Sequence, residues 1–198
     1  MRIITLSIAS TAVVFLIAGC ASAIKQKFLD EPYQGGALSV PLAVSEITVA
    51  DGRKAAGLKQ IAFPRFAFKK RGDTAAPPLT MRQEQIVREE ALRYVSGAGR
   101  RVRITATLKD GVKQWEQGFL HSREFARTTV ALELYDGTDT PCFFSTTGES
   151  NYEVKAVFAD TAFLEALYQK ALKTSVNKAF ESIRDFLAKE QADTAIAN

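Results

Sequence analysis

The chain has 198 residues, 46% of them hydrophobic, with 26 basic against 22 acidic side chains and a formal charge of +4. That length fits one domain with a sizeable core. So slight a basic excess predicts a mildly basic surface, not the strongly basic one of a dedicated nucleic-acid binder.

The chain opens with a leader. Arg2 supplies a positive start, and Ile3 to Ala18 is an apolar run ending in small residues. The run is shorter than the roughly 20 residues that span a bilayer, so residues 1–19 read as a signal peptide. Cys20 follows Ala18-Gly19 directly, with the aliphatic Ile17 three positions before it. Leu16-Ile17-Ala18-Gly19-Cys20 resembles the bacterial lipoprotein pattern. The resemblance implies diacylglycerol on the Cys20 sulfur, cleavage before it, and acylation of the new amine. Two or more acyl chains hold a protein firmly, where one is marginal. The residue after Cys20 is Ala21, not Asp. In a Gram-negative bacterium this implies the periplasmic side of the outer membrane, or the inner membrane if sorting differs. With Cys20 lipidated, Cys142 has no partner, and its setting in Pro141-Cys142-Phe143-Phe144 predicts a buried, inert thiol. Residues 20–40 read as a lipidated N-terminus and spacer, with Pro32, Gly35 and Gly36. Extended, it reaches some tens of ångströms, unless Phe28 and Tyr33 dock on the body.

Residues 41–190 read as one α+β domain, with a frayed tail over 191–198. Val44 to Ala50 is a β-rich run of poor alternation, which predicts a strand buried on both faces. Asp51-Gly52 ends it as a turn. Ile61 to Phe68 is a second β-prone run, demoted to an edge or bulge by Pro64. Thr80 and Gln83 have capping-box spacing for a helix carrying Val87, Ala91, Tyr94 and Val95, which Gly97 and Gly99 should end. Arg101 to Leu108 alternates strictly, with Val102, Ile104, Ala106 and Leu108 on one face, so it predicts an antiparallel strand covered on one side. Asp110-Gly111 reads as a turn, and Val112 to Phe125 as a long connection. Arg127 to Tyr135 and Phe143 to Val157 complete a three-strand meander. A long helix from about Asp160 to Lys189 shows one apolar stripe: Leu164, Leu167, Ala171, Val176, Ala179, Phe180, Ile183 and Leu187. The expectation is an antiparallel sheet with one face covered by two helices and no βαβ alternation.

This order, with Val49-Ala50-Asp51-Gly52-Arg53 closing a strand, Gly57-Leu58 shortly after, and a meander before a long terminal helix, resembles the YajG-like lipoproteins. The resemblance spans about Val44 to Leu187, and the stretch from Ile61 to Pro78 has no place in it. It implies a small outer-membrane lipoprotein with no catalytic residues to carry over.

The residues point the same way. His121, the single histidine, has no Gly-x-Ser-x-Gly elbow in the sequence to pair with. One histidine and one free cysteine cannot close a zinc site of nitrogen and sulfur ligands, so no metal or cofactor is expected. Glu89 and Glu90 are adjacent and diverge on a helix, so they make no catalytic dyad. Two surfaces look functional. One is the basic stretch Arg65, Lys69, Lys70 and Arg71, with Arg100, Arg101 and Arg103 elsewhere. The other is the aromatic set Trp115, Phe119 and Phe125, in what reads as a loop. A periplasmic address removes nucleic acid as a partner. The expectation is therefore a non-enzymatic lipoprotein held to the membrane through Cys20, binding a protein partner of the cell envelope in assembly or transport. The alternative is a lipid- or glycolipid-binding module.

Overall fold

The computed structural model describes residues 26–31, 33, 39–54, 71–118, 122–137, 141–156 and 160–197. The leader with Cys20, the run from Ile61 to Phe68, the basic residues Arg65, Lys69 and Lys70, and Phe119, Leu120 and His121 lie outside the described residues.

Five strands and two long helices follow in chain order: β1 (Val40–Asp51), β2 (Arg71–Ala75), α1 (Met81–Arg93), β3 (Val95–Gln117), β4 (Ser122–Tyr135), β5 (Phe144–Ala156) and α2 (Thr161–Ala197). The sheet order is β1-β3-β4-β5, and β2 joins β3 beyond the end of β1. The α+β class and the β3-β4-β5 meander are as expected. The sheet, however, is mixed. β1 runs parallel to β3, and α1 lies in the crossover between them, as parallel neighbours require.

Two bulges explain where alternation misled. In β1 the pairing with β3 shifts between Val44 and Glu46. Val40, Leu42 and Val44 therefore face the helices before the shift, and Ile47 and Val49 after it. Glu46, Thr48 and Ala50 are exposed, so β1 is an edge strand with one wet face, not one buried on both. In β3 the register with β4 shifts between Leu108 and Asp110. Val102, Ile104, Ala106 and Leu108 point to the core on one side of the shift, and the buried Gly111 and Trp115 on the other. The extra residue is Lys109, so Asp110-Gly111 is not a turn but paired strand just past the bulge, and the expected long connection is the outer half of the β3-β4 hairpin. An extra residue in one strand re-aims every side chain after it.

Helix α1 carries the capping box. The Thr80 hydroxyl accepts from the Gln83 amide (3.3 Å), and the Gln83 side chain accepts from the Thr80 amide (3.1 Å). The helix ends at Arg93, before Gly97 and Gly99. These glycines instead take positive φ (74° and 99°) inside β3, where the strand loops out against β1. A Cβ on Gly99 would sit 2.2 Å from the Pro41 carbonyl oxygen. All eight residues of the expected α2 stripe are buried. They join Val87 and Ala91 of α1 and the even-numbered core residues of β3 and β4 in one apolar cluster. Inside the α2-sheet seam a small polar patch is satisfied internally. Thr128 and Ser175 hydroxyls lie 2.7 Å apart, and the Ser150 hydroxyl donates to the Ala171 carbonyl (2.8 Å).

Candidate functional site

The N-terminal residues 26–31 and 33 are docked on the body, on the helix side of the sheet. Residues 26–30 form a helical turn. Phe28 meets Tyr152 of β5 edge-on, with centroids 5.5 Å apart. The Lys170 ammonium of α2 donates to the carbonyl oxygens of Phe28 and Glu31 and lies over the Phe28 ring. Burial pulls the Lys170 pKa down, against the opposing pull of Glu31 and Asp30. Tyr33 is pushed up to about 12 by burial and by the Glu181 carboxylate that accepts its hydroxyl hydrogen bond. The docking allowed for Phe28 and Tyr33 in sequence is therefore what the chain does.

Between this segment, α1 and α2 lies an open groove of about 330 Å³, lined by Leu29, Tyr33, Glu90, Arg93, Lys173 and Asn177 among others. Its floor is a buried carboxylate. Glu90 is only 3% exposed, and it accepts from Arg93 Nη1 (3.1 Å) and from the Tyr94 hydroxyl (3.1 Å). The Asn177 side chain, with its nitrogen turned toward these acceptors, adds a third bond to Glu90 at 2.9 Å. A buried charge needs this full set of partners. Burial, then the Glu90 charge, pushes Tyr94 up to about 12. Both groove tyrosines are thus held as neutral hydrogen-bonding groups.

A second polar cluster closes the other end of the helix layer. Arg53 makes a bidentate pair with Asp51 (2.8 and 2.6 Å) and donates to the carbonyls of Gly111 (2.8 Å) and Pro77 (2.6 Å). Asp51 also accepts from the Leu79 amide (2.9 Å). The hydrogen bond from Arg53 brings the Asp51 pKa down to about 2. Beside it, Lys113 pairs with Glu165, whose second oxygen accepts from Gln83 (3.0 Å). Asp51 and Arg53 are therefore a clasp that ties the end of β1 to β3 and to the entry of α1.

The residues expected to meet a partner are scattered. Arg71 opens β2 at the pair with Gln117. Trp115 is not in a loop; it lies within β3 and is 2% exposed, a core residue. Phe125 is half-buried on the face of the sheet opposite the helices. There it lines a shallow depression of about 190 Å³ with Gln114, Glu116, Arg123 and Glu153. Arg100 is not a free basic group: it pairs bidentately with Asp136 (2.6 Å) and reaches Glu190 (3.3 Å). Arg103 lies over the Tyr135 ring. Cys142, expected to be buried, is exposed, because it precedes β5 in the connection from β4 and only Phe143 and Phe144 turn inward. Among the described residues no cluster of three metal-ligating side chains occurs, and no helix is long and apolar enough to cross a membrane.

The groove was not read from sequence. Its residues come from three distant segments, and the local signal was the pair of aromatic residues, Phe28 and Tyr33, in a stretch of small, charged and aliphatic residues.

No protein-family model matches the chain, and no curated protein is significantly similar to it. The distantly similar solved structures include two bacterial proteins. One is a Xanthomonas campestris protein of family DUF330, at 14% identity and TM-score 0.40, covering 83% of this chain and 93% of that one. The other is a candidate lipoprotein of Caulobacter crescentus CB15, at 20% identity and TM-score 0.36, covering 57% and 85%. The resemblance to the YajG-like lipoproteins rests on the residues quoted for it above.

Proposed function

We propose that this chain is a lipid-anchored protein of the cell envelope that acts without catalysis, as a partner-binding accessory in assembly or transport. The observation that carries the reading is the leader: an apolar run too short to span a bilayer, ending in Leu-Ile-Ala-Gly-Cys at Cys20. The membrane it serves is the outer one, on the periplasmic side, by the residue at position 21. The body supports docking over carriage of a greasy ligand at the α2-β5 seam. There Gly148 lies against the backbone of Ser175, leaving no room for an acyl chain. A lipid or glycolipid module remains the second reading, because the groove over Glu90 offers charged and hydrogen-bonding groups of the kind a headgroup uses.

Two experiments test this. Cys20→Ser should leave soluble or mislocalised precursor that is not processed; unchanged processing and attachment would sink the anchor. Mild crosslinking in intact cells, followed by purification in detergent, should recover a defined protein partner. Recovery of the chain alone, or with a stoichiometric glycolipid by native mass spectrometry, would favour the second reading.

A further inference from the structure

We infer that the anchored protein meets the bilayer with the face built from residues 26–33 and the adjoining flank of α2, and that its leash, more than its charge, sets this orientation. The inference rests on the reading that Cys20 carries lipid. Five residues lie between Cys20 and Gln26, and the six steps from one to the other, at about 3.3–3.6 Å each, reach at most about 20 Å. Among the described residues that follow, Phe28, Glu31 and Tyr33 are held to the body. The Gln26 side chain donates to Asp30 (2.9 Å), Phe28 packs on Tyr152, and Lys170 holds the carbonyls of Phe28 and Glu31. The acyl chains therefore pull on this flank and on no other. The uncovered face of the sheet, with Arg127, Glu149 and Asn151 exposed, lies on the far side of the helix layer, about 10 Å thick by helix diameter alone.

Charge by itself would not choose this face. Lys27, Lys173 and Arg93 are exposed on it, but so are Asp30 and Glu31, and Arg93 is paired with Glu90. Exposed charges in such a balance give little net attraction to anionic lipid, and salt screens what there is. A covalent leash is not screened.

The test uses the full lipidated chain in vesicles of phosphatidylethanolamine and phosphatidylglycerol carrying a headgroup nitroxide, with Cys142→Ser as background. A fluorophore at Lys173→Cys should be quenched several-fold more than one at Asn151→Cys, and the ratio should not change with added salt. Equal or reversed quenching overturns the inference, and a ratio that collapses in salt overturns the role given to the leash. Phe28→Ala combined with Lys170→Met frees the segment and should bring the two positions toward equal quenching; a ratio that persists overturns its orienting role. Intact-mass measurement separates the two levels. Absence of lipid on Cys20 removes the anchoring reading and this inference with it, whereas lipidated protein with equal quenching removes the inference alone.

Discussion

Gly148 of β5 lies against α2 so closely that a Cβ there would sit 1.8 Å from the Ser175 carbonyl oxygen and 2.8 Å from the Ala179 amide nitrogen. Both contacts are to helix backbone, which cannot swing aside. Ala179 and Ala171 keep the facing side of α2 small, and the hydroxyls of Ser150, Thr128 and Ser175 are satisfied within the seam. Gly148→Ala must therefore lift the helix from the sheet. The expected cost is at least about 2–3 kcal/mol, typical of overpacking a tight core, read as a fall in the urea midpoint. A midpoint unchanged from the natural chain would contradict so close an approach.

Gly111 and Tyr168 make a second contact of the same kind with a different remedy. The Tyr168 hydroxyl is buried, has no hydrogen-bond partner among the described residues, and would lie 2.2 Å from a Cβ on Gly111. Tyr168→Phe should be neutral or slightly stabilising, since it removes an unsatisfied polar group. Gly111→Ala alone should destabilise by about 1–3 kcal/mol. In the double variant part of that loss should return, the remainder belonging to Arg53 Nη1, which a Cβ would also meet at 2.8 Å; the coupling should be about 1 kcal/mol. Additive effects would show that the hydroxyl is not what the methyl group meets.

The Asp51-Arg53 clasp predicts a pH dependence of defined sign. The folded-state pKa of Asp51 is held at about 2, below its ordinary value of 3.8. A depressed carboxyl adds stability that is complete above the unfolded value and is lost as pH falls through the folded one. The loss therefore runs from about pH 4 to about pH 2. Asp51→Asn should be less stable at neutral pH, by on the order of 1 kcal/mol given that the pair is partly exposed to solvent. The gap between the two proteins should close across that acid window in a series of denaturant melts. A gap that stays constant down to pH 2 would mean that the clasp does not depend on the Asp51 charge.

Cys142 should behave as a surface thiol. It is exposed, with its Sγ donating weakly to the Phe144 carbonyl (3.1 Å). A chain covering residues 26–198 should react with a thiol reagent to one equivalent while still folded, at a rate that urea raises only slightly. Reaction only after unfolding would return this residue to the buried state that its apolar neighbours suggested.

The strong regularities survived the passage from sequence to structure, and the interrupted ones did not. Arg101 to Leu108 alternates without a break, and its four apolar residues are core. The α2 stripe recurs at helical spacing, and all eight residues are buried. The Thr80-Gln83 box needs only a local turn, and it forms. Trp115 failed for an identifiable reason. Its strand is out of phase with the first half of β3, because the chain carries an extra residue near Lys109. No periodicity could place it on the core face without knowing that the bulge was there.

What this sequence determined by itself is what depends on neighbours in the chain: the helix cap, the helical stripe, the unbroken strand and the α+β class. What only the tertiary structure decided depends on residues far apart in sequence. The parallel pairing of β1 with β3, the two bulges that rephase them, the clasp of Arg53 on Gly111 and Pro77, and the docking of residues 26–33 by Lys170 all belong to this second kind. Local preference is a matter of a few dihedral angles and side-chain spacings. A strand's register or the seat of a docked segment is settled only when distant surfaces compete to bury area and satisfy hydrogen bonds.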